Sequence, residues 1–490
     1  MDIGELKSAN GINLTMLCDF YELTMGNGYL EAGMENTVSY FDVFFRSVPD
    51  NGGFAIMAGL EQIIDYVTKL HFTREDIEYL RSRELFDGRF LDYLSNFRFT
   101  GDIWAIPEGT PIFPGEPVIT VRAPAIQAQL LETYFLLEFN HQSLIATKAN
   151  RICRAAEGRA VMEFGSRRAH GITAAVTGAR AAYIAGCCGT ACTVSDEIYG
   201  VKALGTMAHS WVQMFDSERE AFLAYCRTYP HNAVLLIDTY DVLRSGLPNA
   251  IKAFDEVLKP LGIKKCGVRI DSGDMAYLTK KVREALDKAG WTECAITVSN
   301  SLDEYLIAEL IRQGARIDSF GVGERLITSR SHSVFGGVYK LCAVEKNGEL
   351  IPKIKISENT EKITNPGFKR VYRLFNRDTG MAEADYITLA HESVDDTKPL
   401  ELCDSDARWK RKVFDNFEAV ELQKCIFRNG ELVYELPELE EIRRYCAYQV
   451  STLWPEVKRF ANPHSYYVDL SEELMKLKDG MLEKKSGARS

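Results

Sequence analysis

Between about Ala160 and Leu326 the chain alternates two textures, short apolar runs and longer stretches with an apolar residue every three or four positions. The short runs are Val161-Met-Glu-Phe164, Ala203-Leu204, Ala233-Val-Leu-Leu-Ile237, Cys266-Gly-Val268, Ala295-Ile-Thr-Val298 and Ile317-Asp-Ser-Phe320. They read as strands, and Ser217–Tyr225, Asn249–Leu258, Asp274–Ala289 and Asp303–Gln313 read as helices. Strand then helix, repeated roughly every thirty residues with no hairpin signal between, implies parallel strands joined by crossovers. An open doubly wound sheet and a closed barrel both satisfy this pattern. Polar residues end nearly every predicted strand, which favours an irregular β/α barrel with its site at the carboxyl ends of the strands.

The flanking regions differ. Residues 1–140 carry helical periodicity over Tyr21–Gly33 and Leu60–Leu70, then short strands separated by Pro and Gly turns over Gly101–Val121, so an α+β domain with a β-rich insert is expected. The barrel is assigned to residues 141–335. Residues 336–490 form a C-terminal region expected to complete both preceding domains in part, with short strands at Val338–Val344 and Ile351–Ile356 followed by a loop-rich, charged segment. Lys353-Ile-Lys-Ile-Ser357, with Lys362, reads as a solvated β-edge. A helix from Leu470 and a frayed tail, Gly487-Ala-Arg-Ser, close the chain.

Composition narrows the class. At 490 residues with 46% hydrophobic content the chain has enough material for a large core and about three domains. A net charge of -11 argues against a broad nucleic-acid surface, although a local basic pocket for a small phosphorylated ligand is compatible with it. The 12 cysteines are scattered, with no C-x-x-C pair and no histidine at zinc-ligand spacing; Cys187, Cys188 and Cys192 read as buried thiols, and the usage fits a reducing cytoplasm. Met1-Asp-Ile-Gly-Glu-Leu-Lys-Ser lacks the layout of a signal peptide. No apolar run is long enough to span a bilayer; Gly171–Val194, alanine-rich and containing Arg180, reads as a buried helix and strand.

The candidate chemistry lies at the strand ends: Arg167 and Arg168, His209, Asp238, Arg269 with Asp271, Ser299 with Asn300, and Gly321 with Gly323. Arginines bind phosphate oxygens bidentately, glycines admit an anion to backbone N–H groups, and carboxylates take a ribose hydroxyl, Mg2+ or a histidine. Singly, each has a plain structural reading: Arg167 as a surface ion-pair residue, Asp238 as an N-cap for Val242–Leu247, Asp274 as a turn residue before a helix. No Walker phosphate loop, kinase set, G-x-S-x-G elbow or H-E-x-x-H motif occurs.

Taken together, Asp19-Phe-Tyr-Glu-Leu-Thr-Met25, Glu163-Phe-Gly-Ser-Arg-Arg168, Gly205-Thr-Met-Ala-His-Ser-Trp211, Leu236-Ile-Asp-Thr-Tyr240, Val268-Arg-Ile-Asp-Ser-Gly-Asp274, Ser319-Phe-Gly-Val-Gly323 and Asn462-Pro-His-Ser-Tyr-Tyr-Val-Asp469 resemble the nicotinate phosphoribosyltransferase family. His170 departs from the glutamine that many relatives carry there. The resemblance implies a fold like that of quinolinate phosphoribosyltransferase, with an irregular α/β barrel beside an N-terminal domain. It implies ATP-assisted transfer of phosphoribosyl from phosphoribosyl pyrophosphate to nicotinate, giving nicotinate mononucleotide and pyrophosphate, with ATP going to ADP and phosphate. A homodimer with shared active sites is implied too.

By the same resemblance His209 takes the phosphoryl group of ATP as a phosphohistidine, and Asp238 and Asp271 are the candidates to orient it. Arg167 and Arg269 would meet the nicotinate carboxylate or the phosphates. Asp271 would meet the ribose or Mg2+, with the ion held chiefly by substrate phosphates; Gly321 and Gly323 would meet the 5′-phosphate, and Asn300 joins the substrate-binding set. Phe164 and the partner subunit's Tyr21 would stack on the pyridine ring. The alternatives are a relative that uses nicotinamide or quinolinate, and a catalytically silent scaffold on the same fold.

Overall fold

The computed structural model describes residues 11–359, 362–404 and 407–486. The N-terminal octapeptide and the tail at Gly487–Ser490 therefore lie outside the described residues. The chain divides into two compact units, one made of residues 145–333 and the other of residues up to 144 together with those from 334 onward.

The unit of residues 145–333 is built on parallel strands. Five form a regular ladder in the order Ala160–Glu163, Ser319–Val322, Ala295–Ser299, Gly267–Ile270, Val234–Leu236. Two further members are single-residue parallel bridges, Glu163 to Thr190 and Thr190 to Ala203. The first strand of the series thus pairs with the last, Val161 lying beside Phe320. An open doubly wound sheet does not make that pairing, whereas a barrel must. Among the described residues no ladder joins Ala203 to the Val234–Leu236 strand, so the ring is irregular, as expected from the sequence.

The helices follow the predicted apolar periodicity closely because their caps are written in the sequence. Ser217, Asp274 and Asp303 each accept a backbone N–H of the first turn, from Glu220, Tyr277 and Leu306, and open the helices Glu218–Thr228, Met275–Lys288 and Glu304–Arg312. Asp241, rather than Asp238, caps the turn at Val242–Gly246, accepting from Leu243 N at 3.0 Å and Arg244 N at 2.8 Å. That segment must approach the strand end closely. A Cβ on Gly246 would lie 1.9 Å from the Ile237 carbonyl oxygen, so only glycine fits. Val268, Ile270, Ile296, Val298, Phe320 and Val322 are fully buried. All twelve cysteines are free thiols; Cys187 is buried as expected, but Cys188 and Cys192 are only half-buried.

The other unit is mainly antiparallel. A seven-stranded sheet runs in the order Glu349–Pro352, Gly337–Lys346, Val38–Phe45, Ile119–Pro124, Asp102–Ala105, Lys424–Arg428, Glu431–Leu432. The Lys353–Ser357 stretch falls just past the end of the Glu349–Pro352 strand and is not itself a strand. The segment expected to be loop-rich contains instead a four-stranded sheet, Phe417–Glu421, Lys369–Asn376, Ala382–Leu389, Tyr467–Leu470, and a hairpin. Its strands were hidden because their inward positions carry charge. Arg373 and Asp385 are fully buried and bonded through Nη2–Oδ2 at 2.6 Å and Nε–Oδ1 at 2.8 Å. Glu116 beside them is held well above the usual carboxylate range, by burial first and then by Asp385, which favours its neutral form next to the Arg373–Asp385 pair.

Removing the cation strands a buried carboxylate. Arg373→Met is expected to cost about 3–5 kcal/mol of stability, whereas Glu116→Gln, which mimics the neutral acid, should shift the denaturation midpoint little. Equal losses in the two variants would show that the charge balance is drawn wrongly.

Candidate active site

The carboxyl ends of the parallel strands lie along one edge of the sheet, and the polar residues named from the sequence follow them: Phe164 after Glu163, Asp238 after Ile237, Asp271 after Ile270, Asn300 after Ser299 and Gly323 after Val322. Arg269 is the hub. Its Nη2 donates to Asp271 Oδ1 at 3.0 Å, its Nε to Ser299 Oγ at 2.9 Å and its Nη1 to Thr206 Oγ1 at 3.0 Å. Ser299 Oγ also donates to Asp271 Oδ1. Two strand ends and the loop before His209 are thereby tied to one guanidinium.

Asp238 supports the neighbouring strand end. Its Oδ2 accepts from Asp271 N at 3.1 Å and from Ser272 Oγ at 2.6 Å, while its Oδ1 is buried without a hydrogen-bond partner. An unpaired buried carboxylate oxygen is costly unless a ligand completes it. Asp238 also lines a cavity of about 440 Å³ shared with Tyr240, Asp241, Ser272 and Gly273. Among the described residues no group of three or more His, Cys, Asp or Glu is placed to hold a metal ion. Asp238 and Asp271 are the carboxylates at this edge of the sheet.

His209 is half-buried at the first position of the short helix His209–Gln213. Its Nδ1 lies 3.1 Å from Thr239 Oγ1. Neither Asp238 nor Asp271 is bonded to the ring: Thr239 stands at Nδ1, while Asp271 Oδ1 accepts from Arg269 and Asp238 Oδ2 from Asp271 N and Ser272 Oγ. Among the described residues Nε2 has no hydrogen-bond partner.

Asn300 holds the adjacent turn. It sits at φ 81°, with Ser301 at φ 54°, and its Nδ2 donates to the Asp271 carbonyl at 3.0 Å. Non-glycine residues in this region store strain that functional sites commonly retain. Gly321 has a packing reason of its own: a Cβ there would lie 2.7 Å from the Phe164 ring. Gly323 gives its carbonyl to the N–H groups of Leu326 and Ile327, each at 3.1 Å. Arg167 and Arg168 are exposed, and among the described residues neither guanidinium has a hydrogen-bond or ion-pair partner; His170 is exposed as well.

Two contributors went unrecognised in the sequence. Glu163, fully buried, accepts from Thr190 Oγ1 at 2.6 Å and from Gly165 N, so it fixes both the Thr190 bridge and the turn carrying Arg167. Burial pushes its carboxyl up, opposed by those two hydrogen bonds. A lone acid inside an apolar strand run was the available signal. Thr239 had none beyond its place after Asp238.

Tyr21 lies in the other unit, on the helix Phe20–Glu31, 42% exposed, with its phenol pushed up by burial and by Glu132. The same unit holds a cavity of about 280 Å³ lined by Arg46, Lys340, Lys369, Lys478 and a single acid, Asp42, which is paired with Lys369.

Three family descriptions match the chain: the nicotinate phosphoribosyltransferase N-terminal domain over residues 16–140, the nicotinate phosphoribosyltransferase family over 159–379, and the C-terminal domain over 368–478. The nicotinate phosphoribosyltransferase of Bacillus subtilis is 42% identical over 463 residues, 94% of each chain. Its human counterpart is 32% identical over 94% of this chain and 95% of its own. The crystal structure of human nicotinic acid phosphoribosyltransferase superposes with a TM-score of 0.83, at 30% identity over 95% of this chain and 100% of that one. The nicotinate-nucleotide pyrophosphorylase of Pyrococcus furiosus follows with a TM-score of 0.68, 26% identity, and 92% and 99% coverage.

Next to Tyr21, Glu22 is fully buried with Oε2 unpartnered, and burial pushes its carboxyl up to about 7. The folded state therefore favours the neutral acid. That contribution is intact below the ordinary value of 4.5 and is lost as pH rises through about 7. The thermal midpoint of the wild-type chain should accordingly fall more between about pH 5 and pH 8 than that of Glu22→Gln; parallel profiles would assign the slope to other groups.

Proposed function

The chain belongs to the nicotinate phosphoribosyltransferase family, and we propose that it joins nicotinate to phosphoribosyl pyrophosphate at the strand ends described above. The products are nicotinate mononucleotide and pyrophosphate, and ATP is cleaved to ADP and phosphate by way of a phosphoryl group on His209. The observation that carries this reading is the polar edge itself: a histidine with a free Nε2 follows a loop bonded to Arg269, which also bonds Asp271, and Asp271 N is bonded to Asp238 with its unpaired oxygen.

The chemistry asks for orientation more than for proton transfer. The nicotinate ring nitrogen attacks with its own lone pair, so no general base is needed. As pyrophosphate leaves, positive charge develops on the ribose. Asp238 Oδ1 and Asp271 are placed to accept ribose hydroxyls, which fixes the sugar for in-line attack. Arg167, having no internal partner, is the better-supported cation for the nicotinate carboxylate or the phosphates, since Arg269 has most of its donors engaged. Gly321 and Gly323 are assigned to the 5′-phosphate, Asn300 to the turn beside Asp271, and Phe164 to one face of the pyridine ring. Asp238 or Asp271 would be the residues to hold Mg2+, which would supply charge neutralisation for the leaving group.

The partner subunit's Tyr21 is assigned to the other face of the ring, which makes the active form a homodimer. The reaction is placed in the cytoplasm; among the described residues no helix is long and apolar enough to cross a membrane.

With nicotinate, phosphoribosyl pyrophosphate and Mg2+, mononucleotide should form slowly and accelerate when ATP is added; absence of product in both conditions would defeat the reading. Nicotinamide in place of nicotinate should abolish turnover, and equal rates would point to the amide-using relative. His209→Ala is expected to retain the slow ATP-independent reaction and lose ATP cleavage. Unchanged ATP consumption by that variant would remove the phosphohistidine from the mechanism.

A further inference from the structure

Arg269 spends most of its donor capacity on the protein. Besides Asp271 and Ser299, its Nη1 reaches Thr206 Oγ1 at 3.0 Å and the Met207 carbonyl at 3.4 Å, in the loop that delivers His209 two residues later. That loop also has an apolar anchor, the buried side chain of Met207. Its regular pairing ends at the Thr190–Ala203 bridge, with Leu204 N donating to the Thr190 carbonyl at 2.7 Å, and Gly205 is exposed. On the far side the helix at His209 is only five residues long. The Arg269 side chain is 16% exposed and its guanidinium is held by Ser299 and Asp271, so it is a firm polar anchor for the loop.

We infer that Arg269 is the positioning residue for His209: through Thr206 it fixes the histidine loop to the Asp271 and Ser299 strand ends, so that the reach of His209 toward a nucleotide phosphate is set from the substrate side of the site. This rests on His209 being the phosphoryl acceptor. In that step the Nε2 lone pair forms the N–P bond to the γ-phosphorus, the bond from phosphorus to the bridging oxygen breaks, and its electron pair leaves with ADP. The Nδ1 proton, held toward Thr239 Oγ1, passes to water as the ring gains positive charge. Arg269 takes no part in the bond changes. A ligand that draws Asp271 away from Arg269 loosens the anchor, and one that bonds Asp271 in place keeps it, which is a direct physical route between substrate occupancy and ATP use.

Thr206 isolates the claim, because it carries the loop side of the contact and has no assigned place in binding or catalysis. In Thr206→Val the methyl replaces the acceptor oxygen while Arg269, Asp271 and Ser299 remain. Incubation with ATP labelled at the γ-phosphate should place base-stable, acid-labile label on the wild-type chain. The initial rate of labelling should fall about tenfold in Thr206→Val, the scale of one charge-assisted hydrogen bond, and return in Thr206→Ser, which restores the oxygen. ATP-independent mononucleotide synthesis should be unchanged in both. Equal labelling of wild type and Thr206→Val would overturn the inference, as would a parallel fall in ATP-independent synthesis, which would mark a general structural defect. No label on the wild-type chain, or label persisting in His209→Ala, would defeat the phosphohistidine reading itself.

Discussion

One guanidinium organises the polar edge of this sheet. Parallel strands deliver all their carboxyl ends to one side, so side chains of like polarity crowd there and need a common partner. Arg269 supplies it, with donors in a rigid fork that meets Asp271, Ser299 and Thr206 at 2.9 to 3.0 Å. A lysine at this position would place one compact charge and lose the fork. The arrangement also sets a limit on catalysis: a cation so occupied stabilises the site more than it grips a substrate, and an exposed arginine such as Arg167 is freer to do so.

Buried charge elsewhere in the molecule is likewise met by a partner of opposite sign. In the parallel unit Glu304 is fully buried and answers both Lys148 and Arg151, each at 2.9 Å. In the antiparallel unit Lys369 pairs with Asp42 at 2.8 Å, and Arg373 with Asp385. Pairs of this kind contribute less through net attraction than through the penalty for separating them, which makes one register of strands strongly preferred over a slipped one. The charged strands of residues 369–389 owe their specificity to this.

That same feature decided what could be read in advance. The barrel was legible because its strands are mainly apolar, its helices are amphipathic, and Ser217, Asp274 and Asp303 stand where caps belong. The closing pair, Val161 beside Phe320, was legible only as an expectation of a barrel, since no local signal marks which strands meet. The sheet at 369–389 was not legible: Arg373 and Asp385 break the apolar alternation, and their mutual compensation exists only once the strands are paired. Of the site, the polar residues at strand ends were found, but their partners were not. Thr239 and Thr206 are ordinary threonines until the fold sets them against His209 and Arg269.

The contrast between Asp238 and Asp241 shows how a site residue separates from a structural one. Both lie at the end of one strand, both could cap the following turn, and sequence alone leaves the task open. Asp241 takes it with two backbone N–H bonds. Once the cap is made, Asp238 has no helical duty, and the strand end holds it where one oxygen meets Asp271 N and Ser272 Oγ while the other is buried with nothing to accept. Folding alone does not maintain such an atom cheaply, because desolvation without a partner costs about 1–3 kcal/mol or more for a charged group. The unsatisfied oxygen is therefore what separates Asp238 from Asp241, whose carboxylate is spent on the cap.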